Sequence, residues 1–253
     1  TTIAHLHQAG CGKVRLPKPV DTHHAEAILI NLAGGLTDGD RIDWRVVWQP
    51  GTTATVSGQA AEKIYRAIGK SAATIEIQLA VGSDALAIWL PQETILFDRG
   101  RLVRRNRFEI ARGGRLLAAE ATVMGRWAMG ETVEVGLFDE GLEVRYADHL
   151  VLAERQRFQG SFSKLLARPA VAGGASAFIS LLFVGDDAGR RLGAVRDALS
   201  SLPTAVTSPD PNVVVVRWLV AEATNLRGNL MTALFAVQKA LDLPQRLPRV
   251  WSC

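Results

Sequence analysis

Soft metal ligands are scarce in this chain, whose 253 residues include only 2 Cys and 5 His. Cys11 and Cys253 cannot build a disulfide framework or a cysteine-rich zinc site. So small a thiol complement fits a reducing compartment, and the expectation is a cytoplasmic protein. Long apolar runs are missing too. The best candidates, Ala177–Val184 and Val213–Val220, fall far short of the roughly 20 residues a membrane-spanning helix needs, and the second holds Arg217. Neither a membrane partner nor, from the N-terminal residues, a signal peptide is expected. Charge of one sign is lacking as well: 29 Lys and Arg against 25 Asp and Glu leave a formal +4. That excess is too dilute for a nucleic-acid partner, which needs concentrated basic surface. The one dense cluster is Arg99, Arg101, Arg104, Arg105, Arg107, Arg112 and Arg115. It alternates with Leu102, Val103 and Ile110 and reads as a solvated strand face. A surface for an acidic protein or for nucleic acid stands as its alternative.

Catalytic patterns are equally thin. Gly34-Gly35-Leu36-Thr37-Asp38-Gly39-Asp40 lacks the Gly-Lys-Ser/Thr ending of a phosphate loop, and its acids repel phosphate. Asp38, Asp40 and Asp43 lack the spacing and final Glu of a calcium hand. A tight turn between strands is the plain reading. Ser161-Phe162-Ser163-Lys164 matches the Ser-x-x-Lys pattern of acyl enzymes, but the Ser-Asp-Asn and Lys-Thr-Gly partners are absent. There is no Gly-x-Ser-x-Gly elbow, and His149 is the only histidine after His24, which leaves a Ser-His-Asp triad almost no base. His5, His7 and the His23-His24 pair are types that suit Zn, Cu or Ni, but their placement reads as incidental. A β-rich hydrolase with an unrecognised site and a basic interaction module remain open on these residues alone.

What is present is a large apolar fraction, 48%, enough for a sizeable core. The first two thirds read as strands. In Ala73–Val81, Ile75, Ile77 and Leu79 alternate with Thr74, Glu76 and Gln78, which puts them on one face. Arg41–Trp48 carries Ile42, Trp44 and Val46 likewise, and Leu142–Tyr146 alternates in the same way. Glycine-containing breaks, among them Asp38-Gly39, Pro50-Gly51, Gly113-Gly114 and Glu140-Gly141, recur between them. After about residue 175 the pattern changes. Ala177–Val184 and Val213–Val220 read as buried strands. Asp186–Ser200 reads as a helix with Leu192, Val195 and Leu199 in a stripe, stopped by Pro203. Leu226, Leu230, Leu234, Val237 and Leu241 recur at helical spacing before Pro244, and that stripe is expected to face its own sheet. The chain therefore reads as one unit over 1–253: a mainly β, stacked-sheet body over 1–175, then a strand–helix–strand–helix segment over 176–253 that carries two C-terminal helices.

Five blocks stand in order along the chain: NLAGGLTDGDR at Asn31–Arg41, GQAAEKIYR at Gly58–Arg66, WLPQETILFD at Trp89–Asp98, EATVMGRWAMG at Glu120–Gly130, and Pro248-Arg249-Val250-Trp251. The series resembles the urease accessory protein UreD family, called UreH in some organisms. The likeness runs from about Ala4 to Trp251. It implies a large stacked β fold with two helices and a role without catalysis. By the resemblance, the protein docks UreF directly, meets UreG through the complex, and delivers nickel to the urease apoprotein through an internal, water-filled passage. UreG supplies the GTPase, in keeping with the missing phosphate loop. Family members usually carry a further strand-like stretch ahead of the position of Ala4, and some have Asp at the position of Glu120.

A conduit needs weak oxygen sites, because a His/Cys cage would hold Ni²⁺ and stop its transfer. Buried carboxylates are costly unless paired, hydrated or bound to a cation. Asp40, Glu120 and Glu154 are therefore the expected transient nickel sites, with Glu62 and Lys63 as a possible ion pair at the mouth. Glu93 and Asp98 are assigned structural roles. No tightly bound cofactor is expected, only transient Ni²⁺. Permanent complexes have large apolar interfaces, so part of the apolar content is expected on the surface, with poor solubility in the absence of a partner.

Overall fold

A computed structural model describes residues 2–18, 24–221 and 226–251. Two sheets stack face to face. The broad sheet has the order β1 (Gly12–Arg15), β2 (Ala25–Asn31), β4 (Thr53–Gly58), β7 (Leu86–Leu90), β10 (Arg115–Met124), β13 (Ala177–Val184), β15 (Val213–Val220) and β14 (Ala205–Asp210). Two short strands, β5 (Glu62–Ile64) and β8 (Thr94–Leu96), pair with one another, and β8 extends along β10. The narrow sheet has the order β12 (His149–Ser161), β11 (Val135–Tyr146), β9 (Arg101–Ile110), β6 (Ala73–Val81) and β3 (Arg41–Trp48).

From β2 to β11 the chain passes back and forth between the sheets, and each return lands parallel to the strand laid down before. β2 pairs with β4, β4 with β7 and β7 with β10 in the broad sheet; β3 pairs with β6, β6 with β9 and β9 with β11 in the narrow one. The result is a solenoid-like stack of coils in which Ile42 lies beside Ile75, and Ile75 beside Arg104. The antiparallel strands β12 and β13–β15 then finish each sheet.

The burial patterns follow from the layers. The middle of the broad sheet is covered on both faces, so its central strands carry long apolar runs: all five residues of β7 are buried, and Val213–Val216 of β15 are buried in sequence. One face meets the narrow sheet through Val56, Trp89, Ala118, Leu182 and Val215. The other carries α2 (Ala188–Ala198) and α3 (Leu226–Ala240), packed through Val195, Leu230, Leu234 and Val237 onto Ile88, Leu117, Leu181 and Val214. The narrow sheet has an open outer face, and β6 accordingly alternates, with Ile75, Ile77 and Leu79 buried and Gln78 exposed. The segment that follows the chain's change of character joins the broad sheet through the β10–β13 pairing. Near the C-terminus Trp251 clasps this assembly. Its indole Nε1 donates to Ser57 Oγ at 3.1 Å and to the Leu90 carbonyl at 3.2 Å.

The expected strands at Arg41–Trp48, Ala73–Val81, Ala177–Val184 and Val213–Val220 have the observed bounds. Three readings need correction. β11 begins at Val135, because Glu140-Gly141 is no turn: Gly141 lies opposite Arg105, and a Cβ there would come 3.3 Å from Arg105 Cδ. A third, five-residue helix, α1 (Phe162–Leu166), follows β12 and is too short to show a stripe. The arginine cluster is not a single solvated face. Strand alternation sends Arg105 and Arg107 outward but turns Arg104 inward with Leu102, Asn106 and Phe108. No helix among the described residues is long and apolar enough to cross a membrane.

Candidate functional site: a charged layer between the sheets

Two-residue alternation fixes what faces the space between the sheets. On the narrow sheet, Arg104 and Asn106 of β9 and Glu140 of β11 point inward in adjacent positions, since Arg104 pairs with Glu140 and Glu140 with Gln156. On the broad sheet, Glu120 of β10, Ser180 of β13 and Arg217 of β15 lie in one row. Short β5 and β8 add Glu62 and Thr94. An apolar core is thereby interrupted by one polar stratum.

Arg104 is its hub. Its side chain is 4% exposed. Nε donates to Glu140 Oε1 at 2.6 Å; Nη1 donates to Thr94 Oγ1 at 2.9 Å and lies 3.2 Å from Glu120 Oε2. Asn106 Nδ2 donates to the same Glu140 oxygen at 2.9 Å, while the buried Asn106 Oδ1 has no partner. Trp89 Nε1 donates to Glu120 Oε1 at 3.2 Å, and Asn31 Nδ2 to Glu62 Oε1 at 3.0 Å. At the other side Arg217 pairs with Glu154. Four carboxylates thus meet two guanidinium groups, a formal excess of two negative charges.

The electrostatics follow from burial. Loss of solvent raises the Glu62 carboxyl above its ordinary value against the pull of Asn31 and Arg104. Burial likewise raises Glu120; Arg104 opposes this and Glu140 adds to it. Burial also works against the charge on Arg104, but Glu140 and Glu120 outweigh it and hold the guanidinium well above its ordinary value.

Two cavities adjoin the layer. The smaller, about 190 Å³, is lined by Asn31, Glu62, Trp89, Thr94, Arg104 and Glu120. The larger, about 580 Å³, is lined on its polar side by Glu120, Thr122, Glu140, Ser180 and Arg217, and elsewhere by apolar residues such as Phe158 and Leu219. Glu120 belongs to both walls.

The expected site residues are placed unequally. Glu120 sits where the cavities meet, and Glu62 lines the smaller one. Glu154 reaches the layer's edge through Arg217. Lys63 contributes to the wall of the smaller cavity but is exposed; it acts on Glu62 through its backbone N–H and its charge, and Asn31 Nδ2 donates to Glu62 Oε1. Asp40 is not brought to the layer. Its Oδ2 accepts from the Thr37 N–H at 2.9 Å in an exposed turn. The same turn has Asp38 Oδ2 accepting from the N–H groups of Ile68 and Gly69, each at 2.6 Å. Glu93 is bound by Arg227, and Asp98 by the N–H groups of Glu134 and Val135. Arg104, Asn106 and Glu140 were not among the expected residues. The alternation of Arg101–Ile110 carries the signal for the first two, and the turn assigned to Glu140-Gly141 hid the third.

Other metal and catalytic readings find no support in the geometry. Among the described residues no three His, Cys, Asp or Glu side chains converge to hold a metal ion. His5 and His7 are exposed; His23 and Cys253 lie outside the described residues, and Cys11 is a half-buried free thiol. Ser161 and Lys164 flank the start of α1, where Ser163 Oγ donates to Glu134 Oε2 at 3.0 Å. The layer offers oxygen donors from carboxylates, an amide and hydroxyls.

The family model described as UreD urease accessory protein matches residues 1–252. A urease accessory protein UreD of Rhizobium etli is 40% identical over 252 residues, covering 100% of this chain and 90% of the relative. One from Rhizobium leguminosarum bv. viciae is 41% identical over 254 residues with the same coverage, and one from Brucella suis is 44% identical over 194 residues, 77% of this chain and 69% of the relative.

Proposed function

The chain belongs to the UreD family of urease accessory proteins, and on that premise we propose that it delivers nickel to the urease apoprotein through the layer between its sheets. The family is an accessory one rather than a catalytic one. In this reading the protein works in the cytoplasm, docks UreF directly and meets UreG through the complex, and nickel is cargo rather than a resident cofactor.

One observation supports the route above all: two cavities meet at Glu120 inside an otherwise apolar core. A stretch of buried charge costs stability unless something offsets it. A formal excess of carboxylates over guanidinium groups, with oxygen ligands only, suits a divalent ion that must leave again. The orphaned Asn106 Oδ1 is a further donor in the same stratum.

The test is substitution of Glu120 and Glu154 by Ala. Both variants are expected to co-purify with UreF and to leave urease depleted of nickel when the metal is measured by elemental analysis. Urease with its full nickel content in both variants would sink the assignment. A Glu120→Gln variant, which keeps the acceptor for Trp89 Nε1, separates loss of charge from loss of shape.

A further inference from the structure

Arg104 presents a difficulty for any cation in the layer. Its guanidinium already fills the position between Glu120 and Glu140, at 3.2 Å and 2.6 Å. It is almost wholly buried. A divalent ion held by those two carboxylates would stand against a fixed positive charge, and in a site shielded from water such repulsion is large. The stratum is also built for more than the arginine. Asn106, 3% exposed, donates to Glu140 from Nδ2 and holds its Oδ1 there with no partner.

We propose that Arg104 is an internal place-holder for the cargo ion: its guanidinium occupies the Glu120–Glu140 site between passages, and a divalent cation binds there only by displacing it. This rests on the reading of the layer as a cation passage. The smaller cavity gives the side chain somewhere to go, since Arg104 lines it together with Glu62, whose carboxylate attracts the guanidinium. A swing toward Glu62 frees Glu120 and Glu140, which line the larger cavity, with the Asn106 carboxamide beside Glu140. The return swing expels the ion. The exchange is one cation for another, so the core is never left with unpaired carboxylates, and no bond is made or broken beyond hydrogen bonds and ligation.

The test is Ni²⁺ titration of the full chain by calorimetry, with folding checked by circular dichroism. Arg104→Met, which keeps most of the side-chain volume and removes the charge, is expected to bind Ni²⁺ about tenfold more tightly or better. Arg104→Lys keeps the charge but cannot reach Glu140, Thr94 and Glu120 together, so it should fall between the two. Glu120→Gln should bind more weakly than the parent. A folded Arg104→Met variant with unchanged or weaker affinity overturns the place-holder while Glu120→Gln still reports on the passage. Unchanged affinity in Glu120→Gln removes the passage reading and this inference with it. If the Met variant does not fold, the Lys variant decides: a rise in affinity supports displacement, and affinity equal to the parent's overturns it.

Discussion

Buried acids in this protein respond to pH with opposite signs. Asp139, on the outer face of the narrow sheet, accepts from Arg155 Nη2 at 2.7 Å and lies 3.1 Å from Arg105 Nη1. The Arg155 hydrogen bonds hold its carboxyl below the ordinary 3.8 despite burial, with Arg105 adding to the effect. Its contribution is therefore intact above that value and disappears as pH falls through the folded one. Because Arg155 and Arg157 are half exposed, Asp139→Asn should cost only about 1–2 kcal/mol at pH 7, read as a shift in the denaturation midpoint, and should cost progressively less in acid. Glu62 is raised by burial, so the reverse holds. Stability linked to it is full below the ordinary 4.5 and is lost as pH rises through the folded value. Glu62→Gln is thus expected to raise the melting temperature at pH 8 and to leave it unchanged at pH 4; a drop at pH 8 would contradict the assignment. Glu120 and Glu62 were named from the sequence together with Asp40, which lies in an exposed turn, because a strand pattern does not by itself say which acids lie inside. Arg104 was harder to pick, because it stands among arginines that do face water, and only its place in the two-residue alternation sets it apart.

Elements were more legible than residues where one physical rule governed them. β6 alternates because one face of its sheet is wet, and β13 and β15 are mostly apolar, broken at Ser180 and Arg217, because both faces of their sheet are largely covered. The glycines were less so, since one residue type serves two purposes. Gly39, at φ 73°, turns the chain. Gly35 instead permits a close approach: a Cβ there would lie 2.5 Å from Tyr65 Cε2 and 2.7 Å from the Lys63 carbonyl oxygen. Beside it, Leu36 bridges to Ile64, donating from N–H to the Lys63 carbonyl at 2.7 Å and accepting from the Tyr65 N–H at 2.8 Å. Gly35→Ala must push these strands apart and should cost about 1–3 kcal/mol, seen as a lower chemical-denaturation midpoint. Gly39→Ala, strained by its backbone angle, should cost less, about 1 kcal/mol.

For the whole molecule, the sequence pattern yields a stacked β body with two C-terminal helices, and the structure has that architecture with α1 added. What a linear reading could not yield is the folding back of the chain that sets Glu62, Thr94, Arg104, Glu120 and Glu140 around one space, because each comes from a different strand. The same return brings Trp251 onto Ser57 and Leu90. Trp251→Ala should destabilise by about 3–5 kcal/mol, and Trp251→Phe, which keeps most of the volume but loses both hydrogen bonds, by clearly less; equal losses would mean the hydrogen bonds rather than the packing hold the clasp.

That clasp also has a meaning in time. Coils stacked in parallel meet their chain neighbours early, because only a short loop has to close before each new strand finds the one before it. The contact of Trp251 with Ser57 spans 194 positions and has no such neighbour to lean on. It forms only once the coils stand, so the body should acquire protection from hydrogen exchange coil by coil in a pulse-labelled refolding experiment. Amides of β4 and β7 beneath the tryptophan should be shielded last, in a separate slow phase that Trp251→Ala removes.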